Sequence, residues 1–343
     1  MSALKSRVVL PLNGVACLCT THDGQLEVLS AAPGEPDARH VMSEDGRFMA
    51  VMDRGNTHAG LFELLPNAPW MREVLPFAPL PNECVGHAAL PLQDCLLIGG
   101  RGPNHEALWQ RTPTANSNWI AVPLPQDVMK RGKAVDGLHL MDDTLVVVDD
   151  IVTPKWLLLY DLVSVGMPTH RQTIRLPSHT TYEHIVHSSL GASGLWCLSQ
   201  GINHGVASTH LWRLSMSAFK EEAHWAARQV SRRTFPSVFD EPPDPENKRL
   251  AMDCLLSCSA VAEVGGNILL ACGGKRLRLL ALGDGASAIE EMKFLDTPGF
   301  SSVDGLVRPA PWDGQGVFLV GEDKSGVMNS AWLSASDLVA GAC

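Results

Sequence analysis

Ala134-Val135-Asp136-Gly137-Leu138-His139-Leu140 decides how the chain is read. An acidic residue opens a short apolar strand, and a polar turn and a second apolar strand follow. Ser302-Val303-Asp304-Gly305-Leu306 is nearly the same text. Looser copies begin at Asp45, Glu83, Glu183 and Asp253, and Asn13-Gly14-Val15 holds the matching place near the start.

The spacing of these markers is irregular but falls mostly in the range of a four-stranded repeat, about 40 to 50 residues. A chain of 343 residues would ordinarily suggest two or three domains. The recurrence argues instead for one domain over residues 1–343: an all-β, seven-bladed β-propeller. Each marker would open the first strand of a blade. Proline-ended strands precede most of the markers: Arg7 to Pro11, Arg72 to Pro76, Trp119 to Pro123 and Thr173 to Pro177. These would be outermost strands, where a missing N–H breaks no ladder bond. The last blade supplies three strands after Asp304, so the N-terminal strand is expected to complete that blade and close the ring, pairing an edge otherwise left open.

Residues 231–251 (SRRTFPSVFDEPPDPENKRLA) are proline-rich and charged. They read as a long loop between two blades, a type of connection that is either functional or unstructured.

The formal net charge of -10 weighs against nucleic acid, whose binding rests on Lys and Arg neutralising phosphates, and against an anionic membrane surface. No apolar run of about 18 residues could span a bilayer, and Met1 to Leu12 lacks a signal-peptide core. The expected location is the cytoplasm. The nine cysteines agree with a reducing compartment. They show no C-x-x-C pair, and core packing is the expected role of most.

The third blade is similar to a Kelch repeat. Leu97-Ile98-Gly99-Gly100 ends a strand on a double glycine, Leu108-Trp109-Gln110 follows, and Asn118-Trp119 supplies the tryptophan. Leu269 to Gly274 repeats the double glycine, and Leu159-Tyr160-Asp161-Leu162 resembles the end of a Kelch third strand. The match covers about a third of the chain. It implies a scaffold that binds proteins more often than it catalyses.

In an antiparallel blade, the start of strand one and the end of strand two share a face. Asp45, Glu83, Asp136, Glu183, Asp253 and Asp304 would then ring the channel mouth. Carboxylates about 8 Å apart repel by roughly 2 kcal/mol at an effective dielectric of 20. The loops after the second strands carry Arg54, Arg101, Lys155, Lys275 and Lys324, with His22 and Gln200 in the other two. Two readings stand side by side: structural salt bridges, or a polar cup for a ligand or partner. The candidate contact residues are Arg54, Arg101, Asp136, Glu183, Gln200 and Asp304.

Three of these loops share a glycine three places before a histidine: Gly55 and His58, Gly102 and His105, Gly201 and His204. Three imidazoles on one side could hold one transition metal ion, which could activate water. Asn, Gly and His are also ordinary turn residues. The expectation is therefore a non-catalytic protein-interaction module without a cofactor, acting through the channel mouth and the 231–251 loop. The alternative is a metal-dependent lyase or hydrolase, or a small-ligand binder, with its site at that mouth. No reading of the residues gives the oligomeric state.

Overall fold

The computed structural model describes residues 6–35, 37–93, 95–102, 107–113, 118–126, 135–141, 143–149, 156–162, 166–175, 182–203, 206–215, 225–234, 260–271, 276–282 and 289–340. The chain divides into two compact units. One comprises Met1–Leu176 with Pro309–Trp312, and the other Pro177–Arg308 with Asp313–Cys343.

Among the described residues the first unit holds four antiparallel sheets, each built from consecutive strands. The first contains β1 (Ser6–Leu12), β2 (Val15–His22) and β3 (Gln25–Ala31). The second contains β4 (Arg39–Met42), β5 (Phe48–Met52), β6 (His58–Leu64) and β7 (Met71–Pro79). The third contains β8 (Val85–Pro91), β9 (Leu96–Arg101), β10 (Leu108–Arg111) and β11 (Ile120–Ala121). The fourth contains β12 (Val135–Met141), β13 (Thr144–Asp149), β14 (Trp156–Asp161) and β15 (Thr169–Arg175).

Among the described residues the second unit holds three sheets built the same way. Its strands are β16 (Tyr182–Gly191), β17 (Gly194–Asn203), β18 (Val206–Ser215) and β19 (Trp225–Thr234); β20 (Ala260–Val264), β21 (Asn267–Ala271), β22 (Arg276–Leu282) and β23 (Ile289–Asp296); and β24 (Ser302–Val307), β25 (Gly316–Glu322) and β26 (Met328–Ser334). A short helix α1 (Ala335–Ala340) follows. Ser334 and Asp337 cap its start by bonding each other's backbone N–H groups, the reciprocal pattern of a capping box. Among the described residues no helix is long and apolar enough to cross a membrane.

The middle strands explain why the sheets stack. β5 is Phe-Met-Ala-Val-Met and buried throughout. Successive strand residues point to opposite faces, so an uninterrupted apolar run serves two neighbours at once. Phe48, Ala50 and Met52 pack towards the third sheet with Ala89, Leu96 and Ile98. Met49 and Val51 pack the other way, with Leu18 of the first sheet. β9 repeats this: Leu96 and Ile98 face the second sheet, while Leu97 joins Leu138, Leu145 and Val147 of the fourth. In the second unit, β21 sends Ile268 and Leu270 towards Trp196 and Leu198. It sends Leu269 and Ala271 towards Val303, Leu306 and Val317. Each fully buried large apolar side chain contributes roughly 2 kcal/mol.

Three strand assignments differ from the sequence reading. Asn13 and Gly14, with φ of 52° and 78°, form the two-residue turn between β1 and β2 rather than the start of a strand. Asn-Gly tolerates two positive φ angles, which is what the favoured hairpin turn requires. Consequently β1 pairs along its length with β2 and opens the first sheet; it is not the fourth strand of the last one. Residues 39–42, expected to end the first blade, are β4 and open the second sheet.

Asp45 lies in the turn between β4 and β5. Its Oδ1 accepts from Ser43 Oγ at 2.6 Å and from the Arg47 N–H at 3.0 Å. That turn is at the opposite end of the sheet from the start of β4, so Asp45 does not belong to the expected ring of acids.

Residues 231–234, read as the beginning of a loop, continue β19, and residues 235–251 lie outside the described residues. The Pro309–Trp312 segment belongs to the first unit. Ala310 exchanges backbone hydrogen bonds of 2.8 Å each way with Arg7 of β1, and Ser6 Oγ donates to the Pro311 carbonyl at 2.9 Å.

Candidate functional site

The first strands of four sheets share a local irregularity. β8 has a bulge between Gly86 and Ala88, and β12 has one between Val135 and Gly137. In the second unit, β16 has one between Ile185 and His187, and β24 has one between Val303 and Gly305. The extra residues are His87, Asp136, Val186 and Asp304. A bulge leaves one residue outside the ladder and re-aims its side chain.

In the first unit this device brings three chemically active groups together. His87 Nδ1 lies 2.6 Å from Asp136 Oδ1. A carboxylate only accepts, so Nδ1 carries the hydrogen; in the neutral ring Nε2 is then an acceptor. Arg39, the first residue of β4, donates from Nη1 to the His87 carbonyl. Burial among the neighbouring strands lowers the Arg39 pKa from its ordinary value, and the charge of Asp136 opposes that shift. Arg39 nevertheless reaches solvent, and the side chains of His87 and Asp136 are 32% and 27% exposed. The trio is therefore ordered but accessible.

The glycines opposite these strands have a packing role. A Cβ on Gly100 would collide with the Val85 carbonyl, and one on Gly99 with the Val135 side chain. In the second unit, a Cβ on Gly321 would collide with the Ser302 carbonyl. The double glycine of the third sheet thus lets the start of its own first strand and that of the next sheet approach β9 closely.

No protein-family model matches the sequence, and neither does any curated protein sequence. Among solved structures, the chain is similar to a hypothetical selenium-binding protein from Sulfolobus tokodaii, at 9% identity and a TM-score of 0.60 over 97% of this chain and 92% of that one. It is also similar to the Cps50 (Swd1) β-propeller domain of Myceliophteria thermophila, at 13% identity and a TM-score of 0.51 over 97% of each chain. Sqt1 of Saccharomyces cerevisiae matches at 8% identity and a TM-score of 0.50, over 96% of this chain and 81% of that one. The fold is a β-propeller. Identities this low carry the fold and nothing more.

On this propeller the expected site residues have mixed fates. Asp136 and Asp304 occupy the same bulge position in their sheets. Asp304 is exposed and accepts from Ser302 Oγ at 3.2 Å. Glu83 does not share that position. It closes the 3₁₀ turn Pro81–Glu83 before β8, with φ of 57°, and His87 stands in its stead. Glu183 is on β16 opposite Gly201, and Gln200 is on β17 opposite His184.

Arg54 is exposed and pairs with Asp37 at 3.5 Å, not with an acid of the expected ring. Arg101 ends β9, exposed, opposite Val85. His105, His204, Lys155, Lys275 and Asp253 lie outside the described residues.

His58 is engaged by its own turn. Its Nδ1 is 3.0 Å from Thr57 Oγ1 and 3.3 Å from Asp53 Oδ2. Asp53 in turn accepts from the backbone N–H groups of Thr57 and His58 at 2.7 and 2.8 Å. Asp323 holds the matching turn of the second unit, accepting from the N–H groups of Ser325 and Val327. Among the described residues no group of three His, Cys, Asp or Glu is placed to hold a metal ion.

Sequence reasoning missed Arg39 and His87. It aligned blades on an acid, whereas the position is defined by the bulge, which accepts an imidazole or a valine as readily.

Proposed function

We propose that the chain is a closed seven-bladed propeller of the Kelch-like kind, acting as a non-catalytic module that binds a protein partner. The contact surface would be the end where the first strands begin. The ring reading is supported by the sheets of the two units, built alike from consecutive strands, and by the return of Pro309–Trp312 to the first unit.

The observation that carries the binding reading is the company Val85 keeps. This valine is 39% exposed and two residues from His87, whose carbonyl accepts from Arg39 and whose ring meets Asp136. An exposed apolar side chain beside ordered charged groups is the composition of a protein-binding patch. In the second unit, Val186 at the bulge of β16 is 41% exposed. Residues 235–251 would contribute as well.

Affinity capture from cytoplasmic extract tests the reading. Proteins recovered by the wild type and lost with Val85→Asp or Arg39→Glu would support it. Recovery of the same proteins by the wild type and both variants would overturn it. Deletion of residues 242–248 separates the contribution of the loop. The competing metal-enzyme reading is tested by elemental analysis of purified protein and of His105→Ala.

A further inference from the structure

We propose that Arg39, His87 and Asp136 form a binding site for a small hydroxycarboxylate, distinct in kind from a protein-binding patch.

Arg39 has one nitrogen committed to the His87 carbonyl. Its guanidinium carries five N–H donors, and it reaches solvent, so donors remain for an anion. His87 has its Nδ1 hydrogen committed to Asp136, which in the neutral ring leaves Nε2 as an acceptor. Asp136 Oδ2 is a second acceptor. One cationic donor therefore stands beside two acceptors.

A bare carboxylate satisfies only the donor. It leaves Nε2 without a hydrogen and meets the charge of Asp136. A carboxylate carrying a hydroxyl on the adjacent carbon satisfies both sides: the carboxylate accepts from Arg39, and the hydroxyl donates to Nε2 or to Oδ2.

The local backbone suits a ligand. Both acceptor residues sit in bulges, which recur beside functional sites. Gly86 precedes His87 and Gly137 follows Asp136, and Gly100 lies opposite Gly86. Three successive sheets supply the groups, so their spacing is set by the packing of strands and not by a loop.

The test uses L-malate and succinate, which have the same charge and differ by one hydroxyl. Binding is followed by NMR titration of the purified full-length protein. Wild type is expected to bind malate about fivefold more tightly than succinate, the worth of one neutral hydrogen bond. His87→Phe should lower the preference while keeping weak binding of both. Arg39→Gln should lose both. Melting temperature identifies any variant that fails to fold; Asp136→Asn, which keeps an oxygen for Nδ1, then serves as the milder probe and should reduce the preference. Equal binding of the two acids by wild type, or no binding of malate at millimolar concentration, would overturn the proposal. Neither result bears on partner capture, so the two readings fail separately.

Discussion

Glu263 Oε2 accepts a hydrogen bond from the indole Nε1 of Trp196 at 2.9 Å, joining β20 to β17. The same oxygen accepts from Ser193 Oγ at 2.7 Å and from the Ser193 N–H at 3.1 Å. The carboxylate is 4% exposed. It thus ties the hairpin after β16 and the core tryptophan of one sheet to the first strand of the next. A buried polar group is tolerated where hydrogen-bond partners meet it, and here three donors converge on one atom.

Glu263→Ala should therefore cost more than a cavity of its size. It leaves the buried indole N–H and the half-buried Ser193 donors without this acceptor, at about 1 to 3 kcal/mol for a buried group. We expect a loss of about 3 kcal/mol in urea unfolding and a smaller loss for Glu263→Gln, which keeps an oxygen. A loss below about 1 kcal/mol for the alanine variant would show that the three bonds do not set the stability of this sheet pair.

Gly100 and Gly321 make a matched pair across the two units. A methyl group at either would strike the carbonyl oxygen of a first strand, Val85 or Ser302. Backbone cannot swing aside as a side chain can, so Gly100→Ala and Gly321→Ala should each destabilise by about 2 kcal/mol or more. Gly299 has open space around its would-be Cβ. Gly299→Ala should lie within about 0.5 kcal/mol of wild type. Thermal melting of the three variants checks the contrast.

Asp53 predicts a pH effect. Burial alone would raise its pKa, but the backbone N–H groups of His58 and Thr57, the Thr57 hydroxyl and the His58 ring outweigh that and hold it below the ordinary 3.8. A depressed carboxylate contributes stability that is complete above its unfolded value and disappears as pH falls through its folded value. Between pH 6 and 4.5, Asp53→Asn should therefore differ from wild type by a constant amount, about 1 kcal/mol or less for a turn bond of this kind. Below about pH 3.8 the difference should shrink. Denaturation curves from pH 6 to 2.5 measure it; a difference that stays constant to pH 2.5 would show that the charge on Asp53 has no part in the turn.

The sheet repeat was legible because its cause is local. Runs such as Phe48 to Met52 and Leu96 to Ile98 are apolar on both faces and short, which marks strands covered on both sides. The double glycine at Gly99-Gly100 was legible as a motif, and the structure supplies the steric reason. What the text concealed was phase. Asp45 and Asp136 look alike in sequence, each followed by glycine, yet one closes a hairpin and the other sits in a bulge at the far end of a strand. Alternation of apolar residues does not distinguish the two ends of a strand, and Asp-Gly suits both settings. Asn13-Gly14 carried the better clue, since Asn-Gly between two apolar runs favours a hairpin turn. The meeting of Arg39, His87 and Asp136 could not be read at all. It depends on bulges whose location no residue type announces.

The bulge in the first strands has an evolutionary corollary. Imidazole, carboxylate and isopropyl groups occupy the same local geometry at His87, Asp136, Val186 and Asp304, so the backbone there does not depend on what it presents. Such positions behave as interchangeable sockets. A new chemistry can be installed by one codon change without disturbing the strands beneath, and a saturation library at these four residues should retain folded protein for most substitutions while binding properties diverge.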